Sequence, residues 1–265
     1  LRVPVGTSRL DKLEKLIRAA GIDTIDFDHK MTAIKIHFGE PGNLTYLRPN
    51  YAKRVADVVK SLGGLPFLTD CNTLYPGRRK NALEHIESAY ENGFSPFSTG
   101  CQVIIADGLK GSDDVEVPVK GGEYVKEAKI GRAIMDADVF ISLNHFKGHE
   151  MAGFGGAIKN IGMGCGSRRG KMEQHADGKP EVNRELCVGC RFCAKQCAQS
   201  AISYPEKKAA IDHEKCVGCG RCIAACPFDA IYSPQDSAAE MLNYKMAEYA
   251  KAVVDGRPHF HISLV

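Results

Sequence analysis

The sequence predicts an α/β domain on a mainly parallel sheet with flanking helices, interrupted by a small cysteine-dense insertion. Three observations carry this. Helical and strand-like periodicities alternate along residues 1–175, as in strands joined by helical crossovers. Eight of the eleven cysteines fall in one short stretch, as two matched runs. Beyond that stretch a long helical pattern and an apolar strand resume, so the cysteine-dense segment reads as an insertion and not a tail.

In order, SRLDKLEKLIRAAG (8–21) puts Leu10, Leu13, Leu16 and Ile17 on one helical face, with Ser8 as cap and Gly21 as stop. MTAIKIHF (31–38) is strand-like, and YAKRVADVVKSLGG (51–64) is a second helix ending in glycine. LPFLTD (65–70) is a short apolar strand, and RKNALEHIESAYENG (79–93) a third glycine-stopped helix. CQVIIADG (101–108) is a strand, KEAKIGRAIMDA (126–137) a fourth helix and DVFISLNHF (138–146) a fourth strand. SAAEMLNYKMAEYAKAVVDG (237–256) is a long amphipathic helix, and HFHISLV (259–265) a closing strand. The sequence stops inside that apolar strand, so the sheet is expected to continue past it.

In an open parallel sheet, ligands bind beyond the carboxyl ends of the strands. Those ends carry His37, Gly39 and Glu40; Asp70, Cys71, Asn72 and Thr73; Asp107 and Gly108; then Asn144, His145, Lys147 and His149. Turns are polar anyway, so most of these residues have a bland explanation. His145, Lys147 and His149 alternate beside Gly148 with no turn chemistry to require them, and are the candidate catalytic residues. The glycine-rich stretch AGFGGAIKNIGMGCGSRRGK follows. Lys159, Asn160, Gly164 and Gly166 form a candidate loop for a phosphate or carboxylate, with Arg168, Arg169 and Lys171 adding positive charge. The same glycines would equally serve a close-packed helix. Cys71, Cys101 and Cys165 read first as buried thiols. Cys71 and Cys165 with His145 and His149 have the residue types of a further metal site, on scattered and therefore weak spacing.

The cysteine runs are Cys187, Cys190, Cys193, Cys197 and Cys216, Cys219, Cys222, Cys226, each spaced Cys-x-x-Cys-x-x-Cys-x-x-x-Cys. Three thiolates two residues apart can wrap one [4Fe–4S] cube, and the fourth reaches a neighbouring cube. On that rule Cys187, Cys190, Cys193 and Cys226 hold one cluster, and Cys216, Cys219, Cys222 and Cys197 the second. A zinc ribbon would leave half of these cysteines without a role, and a disulfide framework suits small secreted chains. CVGCRFCAKQCAQSAI aligns with CVGCGRCIAACPFDAI, and AISYPEKKAAIDHEK between them reads as strand, turn and strand. This resembles the bacterial two-cluster ferredoxin module over residues 181–233. One departure stands out: Pro227 follows Cys226, but Ala198 follows Cys197, so the local geometry of that ligand loop, though not its ligation, is expected to differ.

Apolar residues are 44% and charged residues 25% of the 265, with a net charge of +3. That charge is too small to argue for nucleic acid, and no stretch approaches the ~20 apolar residues of a membrane span. Thiol-rich metal motifs with no apolar leader segment at the start point to a cytoplasmic, anaerobic setting.

LTDCNTLYPGRRKNALEHIESAYENGF, IADG, SLNHFKGHEMAGFGGAIKNIGMGCGSRRGK and the double cysteine run together resemble the iron–sulfur proteins of domain of unknown function 362. A more distant likeness to lactate-racemase-type α/β domains is fold-level analogy. The resemblance implies an α/β domain (1–180), an inserted α+β ferredoxin-like two-cluster module (181–233) and a return to the first domain (234–265). It supplies no reaction. The expected function is electron transfer from two [4Fe–4S] clusters to a small reducible ligand or a redox partner protein, with His145, Lys147 and His149 binding or protonating the ligand. The alternatives are a ferredoxin-like carrier with a docking domain and no substrate, and a non-redox binding or isomerising protein with structural clusters.

Overall fold

The structure is a computed structural model and describes residues 8–265 apart from 75–76, 150–151, 176–178, 217–221, 223–224, 229 and 233–234. The first half follows the expected alternation: α1 Arg9–Ala19, β1 Met31–Lys35, α2 Pro49–Ser61, β2 Leu65–Asp70, α3 Ala82–Glu91, a short α4 Pro96–Thr99, and β3 Gln102–Ile105. Ser8 caps α1 in a full capping box: its hydroxyl accepts the Asp11 amide at 3.1 Å, and the Asp11 carboxylate accepts the Ser8 amide at 3.0 Å. The chain leaves α1 through Gly21 at φ 91°, left-handed backbone that glycine adopts without strain.

Residues 126–137 correct the sequence reading, which expects one helix there. Instead β4 Asp114–Pro118 and β5 Glu127–Gly131 pair antiparallel, and only α5 Arg132–Met135 is helical. Helix-forming residues fill this segment, but Ala128 and Ile130 alternate inward and are buried, and cross-strand pairing overrides intrinsic propensity. Next come β6 Val139–His145, a hairpin of β7 Lys147–His149 with β8 Gly153–Gly155, α6 Ala157–Cys165 and α7 Arg168–His175.

The main sheet has five strands in the order β13-β6-β1-β2-β3, where β13 is His259–Leu264, and every pairing is parallel. Alternation along the strands feeds two cores. Ile34, Ile36, Leu68, Ile141 and Leu143 pack with Leu13, Ile17, Val55 and Val59 of α1 and α2. On the opposite face Ala33, Phe67 and Phe140 pack with Ile134, Ile161 and Tyr249. The result is helices on both sides of a buried parallel sheet.

Between α7 and the last helix, α9 Gln235–Val254, lie β9 Glu181–Val182, α8 Phe192–Gln196, β10 Ile202–Ser203, β11 Ala210–Ile211 and β12 Ile231–Tyr232. β10 pairs with β11 and β9 with β12, both antiparallel. This segment has its own small cluster of buried residues, including Cys187, Cys193, Cys222, Ala209 and Ile231. The chain then returns: α9 packs across α6, and β13 joins the sheet beside β6, from His259 opposite Phe140 to Leu264 opposite His145. Among the described residues no helix is long and apolar enough to cross a membrane.

Candidate functional site

From β1 the chain builds the sheet toward β2 and β3 on one side, then crosses back to place β6 and β13 on the other. The loops leaving β1 and β6 therefore diverge, opening a crevice at the carboxyl ends. A cavity of about 340 Å³ lies there, lined from β1 by Lys35 and His37, from β2 by Asp70 and Cys71, and from the β6 side by His145, Lys147 and His149. Lys159, Asn160, Gly164 and Lys171 close it from α6 and α7, and Tyr46 and Arg79 from the loops.

Its floor is a buried ion network. Lys35 is 1% exposed; its Nζ lies 3.0 Å from Asp70 Oδ1 and donates to Asn160 Oδ1 at 2.7 Å. Arg79, equally buried, reaches Asp70 Oδ2 at 3.2 Å and Glu40 Oε1 at 2.7 Å. Burial alone would raise the Asp70 carboxyl, but Lys35 and Arg79 outweigh it and hold Asp70 far below the usual carboxylate range. His85 stands behind, Nε2 3.9 Å from Asp70, and burial pushes its pKa down to about 3. His37 is exposed to the crevice and its Nδ1 accepts the Gly39 amide at 3.0 Å, while the surrounding protein atoms desolvate its ring. That desolvation, then Arg79, pushes it well below its ordinary value.

The walls carry the unneutralised charge. Lys147 and His145 are exposed on the β6–β7 segment, and His149 Nδ1 accepts the Ala152 amide at 3.2 Å. Lys159 stands in the first turn of α6, half-buried; burial, then Lys147, Lys35 and Arg79, lowers its pKa. Among the described residues no acidic side chain pairs with Lys147 or Lys159. Five basic residues thus line the crevice against one buried Asp70, with Glu40 paired to Arg79, so the crevice suits an anion.

The structure brings His145, Lys147, His149, Lys159, Asn160 and Gly164 to this one cavity. Asn160 braces it from behind: its amide nitrogen donates to Asn144 Oδ1 at 2.7 Å and to the Leu143 carbonyl at 3.2 Å, while its oxygen holds Lys35. Gly166 is not on the cavity; its neighbour is Gln174. Arg168 and Arg169 are turned elsewhere, Arg168 to the Thr73 and Lys80 carbonyls and Arg169 to Asp114 and Glu116. Asp107 also lies off the crevice, accepting from Asn72 at 2.8 Å. Cys71 and Cys165 are buried, and burial raises both thiols, Cys165 to about 12, which leaves them poor ligands and nucleophiles. Among the described residues no group of three or more His, Cys, Asp or Glu is placed to hold a single metal ion.

The glycine-rich stretch folds as β8, α6 and the start of α7, with Gly162 and Gly170 serving close packing and one wall of α6 on the site. A Cβ on Gly162 would fall 2.0 Å from the Met246 carbonyl of α9, and one on Gly170 2.4 Å from the Lys129 carbonyl. Gly164 instead makes room for Lys35. Sequence reasoning missed Lys35 and Arg79. The signal for Lys35 was a lone lysine at the carboxyl end of a buried strand.

In the cysteine-rich segment Cys187, Cys190, Cys193 and Cys226 line one small cavity. Cys187 Sγ accepts the Ala209 amide, Cys197 Sγ that of Ala201 and Cys226 Sγ that of Ala230, each at 3.3 Å. The last two are the same bond in each half of the repeat, so Ala198 in place of proline leaves it unchanged. Gly189 is left-handed at φ 69°, and a Cβ there would strike the Lys207 carbonyl at 2.1 Å. Cys216 and Cys222 are described; Cys219 lies outside the described residues.

A family model described as "Domain of unknown function (DUF362)" matches residues 32–264. A thylakoid-associated protein of Synechocystis sp. is 27% identical over 150 residues, 54% of this chain and 40% of that protein. A subunit of the anaerobic dimethyl sulfoxide reductase from Haemophilus influenzae is 44% identical over 39 residues, 15% of this chain and 19% of that protein. The matches thus span two-fifths or less of these relatives' own lengths. Among solved structures, the lactate racemase apoprotein from Thermoanaerobacterium thermosaccharolyticum has a TM-score of 0.41 at 12% identity, covering 91% of this chain and 52% of that one. A Thermotoga maritima protein has a TM-score of 0.39 at 17% identity, covering 60% and 37%.

Proposed function

The chain belongs to the DUF362 family, and from that premise we propose that it is an iron–sulfur redox protein acting on a small anion held in the basic crevice. The observation that carries the ligand half is the convergence of Lys35, Arg79, Lys147, Lys159 and Lys171 with three histidines at the topological switch point. The cluster half is supported by four cysteines of the paired runs around one cavity, with amide N–H groups donating to cysteine sulfurs. Such donors stabilise the negative charge of thiolate-bound clusters. Cys187, Cys190, Cys193 and Cys226 would hold one [4Fe–4S] cluster, and Cys216, Cys219, Cys222 and Cys197 the other. Bound, the clusters would supply electrons singly. The 39-residue likeness to a reductase subunit also favours a redox role.

The chain's own groups divide the remaining work. Lys147 and the amide end of α6 attract the ligand's anionic group. Asp70 fixes Lys35 and Arg79 in the floor, where their positive potential persists without either side chain swinging free. His145 and His149, on the same wall, exchange protons with the ligand. Phe146, between β6 and β7, and Phe154 of β8, ring centroids 5.3 Å apart, brace the β7–β8 hairpin that carries His149.

Two measurements on anaerobically reconstituted protein test this. Iron and acid-labile sulfide should approach about eight of each per chain; contents near zero would sink the cluster assignment. Lys147→Ala should weaken anion binding in titration calorimetry by roughly tenfold or more, with cluster absorbance unchanged; unaltered affinity would remove Lys147 from the site. One observation favours a second reading, a non-redox binding or isomerising protein with structural clusters: the crevice holds its own acid–base groups in His145, His149 and Lys159. A spin signal unmoved by dithionite would select that reading.

A further inference from the structure

We propose that Lys159 is a nucleophilic lysine that condenses with the carbonyl group of a small 2-oxo acid bound in the crevice, forming an imine. The proposal rests on the anion-binding half of the functional reading and is independent of the clusters.

Of the crevice lysines, two are already committed. Lys35 is locked between Asp70 at 3.0 Å and Asn160 at 2.7 Å. Lys171 donates to the carbonyls of Gly164 and Gly166. Lys147 is exposed on β7, where water stabilises its charge. Lys159 differs from all three. It is half-buried in the cavity wall, runs alongside Gly155, where a Cβ would lie in ordinary contact 3.5 Å from its Cδ, and has no carboxylate partner among the described residues. Desolvation and adjacent cations are the two devices that give a lysine a reactive neutral amine, and burial followed by Lys147, Lys35 and Arg79 acts on Lys159 in that direction. Asp70 opposes them from the floor, and His37, His145, His149 and Lys171 share the cavity.

The same surroundings select the ligand. Lys147 and the uncapped amide end of α6 at Gly156 attract a carboxylate. A carbonyl carbon bonded to that carboxylate is then brought toward the amine. The neutral amine's lone pair forms the C–N bond as one of the nitrogen's own protons is passed to the carbonyl oxygen. The C–O bond then breaks, and the oxygen leaves as water together with the nitrogen's two original hydrogens, so no oxidant or reductant enters. His145 and His149 are placed to pass those protons.

The test is borohydride trapping on the purified protein. Glyoxylate, pyruvate and 2-oxoglutarate are each supplied at saturation, followed by intact mass and peptide mapping. The expected result is one reduced adduct per chain at Lys159 with at least one acid, lost in Lys159→Arg, which keeps the charge without a condensing amine. Lys147→Ala should move the labelling pH midpoint upward by removing a neighbouring cation. Binding of the same acids by calorimetry without any adduct overturns the imine and leaves the anion site standing. An adduct that persists in Lys159→Arg overturns the assignment to Lys159. Failure of all three acids to bind overturns the proposal together with the anion-binding reading beneath it.

Discussion

Lys35 and Gly164 show how one residue's chemistry depends on another's absence. A Cβ at position 164 would stand 2.6 Å from both Cε and Nζ of Lys35, so Gly164→Ala must push the ammonium off Asp70. The variant should lose about 1–3 kcal/mol of stability to overpacking, read by chemical denaturation, and about tenfold in anion affinity, read by calorimetry. Affinity equal to wild type would mean that Lys35 does not shape the site. At this scale the sequence was legible where polar residues had no structural duty: His145, Lys147, His149 and Lys159 all reach the cavity. Lys35 and Arg79 were missed because each looks ordinary along the chain, one inside a strand and the other in a basic turn. Only burial against Asp70 distinguishes them.

Among the elements, α6 carries the most function and depends most on packing. Its N-terminal turn presents Lys159, while its far side touches α9 backbone to backbone at Gly162. An alanine there meets the Met246 carbonyl at 2.0 Å, so Gly162→Ala should separate the helices and cost several kcal/mol, about 2–4, in denaturant unfolding. Gly148→Ala, with nothing within 4 Å, is the matched control and should unfold within about 0.5 kcal/mol of wild type. Similar costs for both would show that Gly162 is not a packing glycine. The sequence could not separate the anion-loop reading from the packed-helix reading, because glycine serves both and the deciding partner lies over eighty positions away. The missed β4–β5 hairpin has a nearer cause: Glu127–Gly131 reads as helix until its cross-strand partner Asp114–Pro118 is known.

For the whole molecule, the buried network sets the response to acid. His85 titrates near 6.5 when unfolded and near 3 when folded. Its folded pKa is depressed, so the unfolded chain binds the proton first as pH falls. The stability from keeping His85 neutral is complete above pH 6.5 and declines from there toward pH 3. His175, pushed down to about 4 by burial, acts with the same sign. Neither His85 ring nitrogen has a hydrogen-bond partner among the described residues, so an apolar replacement leaves no orphan. His85→Leu should flatten the fall in melting temperature between pH 6.5 and 4, and stay within about 1.5 kcal/mol of wild type at pH 7.5. An unchanged slope would show that other groups dominate the acid response.

By itself the sequence determined the alternating α/β plan, the helix stops, the return of the chain to the sheet after the cysteine-rich segment, and the spacing of the cysteine runs. These are local matters of periodicity, backbone freedom and side-chain type. Only the tertiary structure decided that β1 is the middle strand, that the loops after β1 and β6 therefore part, and that Lys35, Asp70 and Arg79 meet beneath the opening. Strand order and burial are set by contacts between segments far apart in the chain, and those contacts turn a scatter of lysines and histidines into one electropositive crevice.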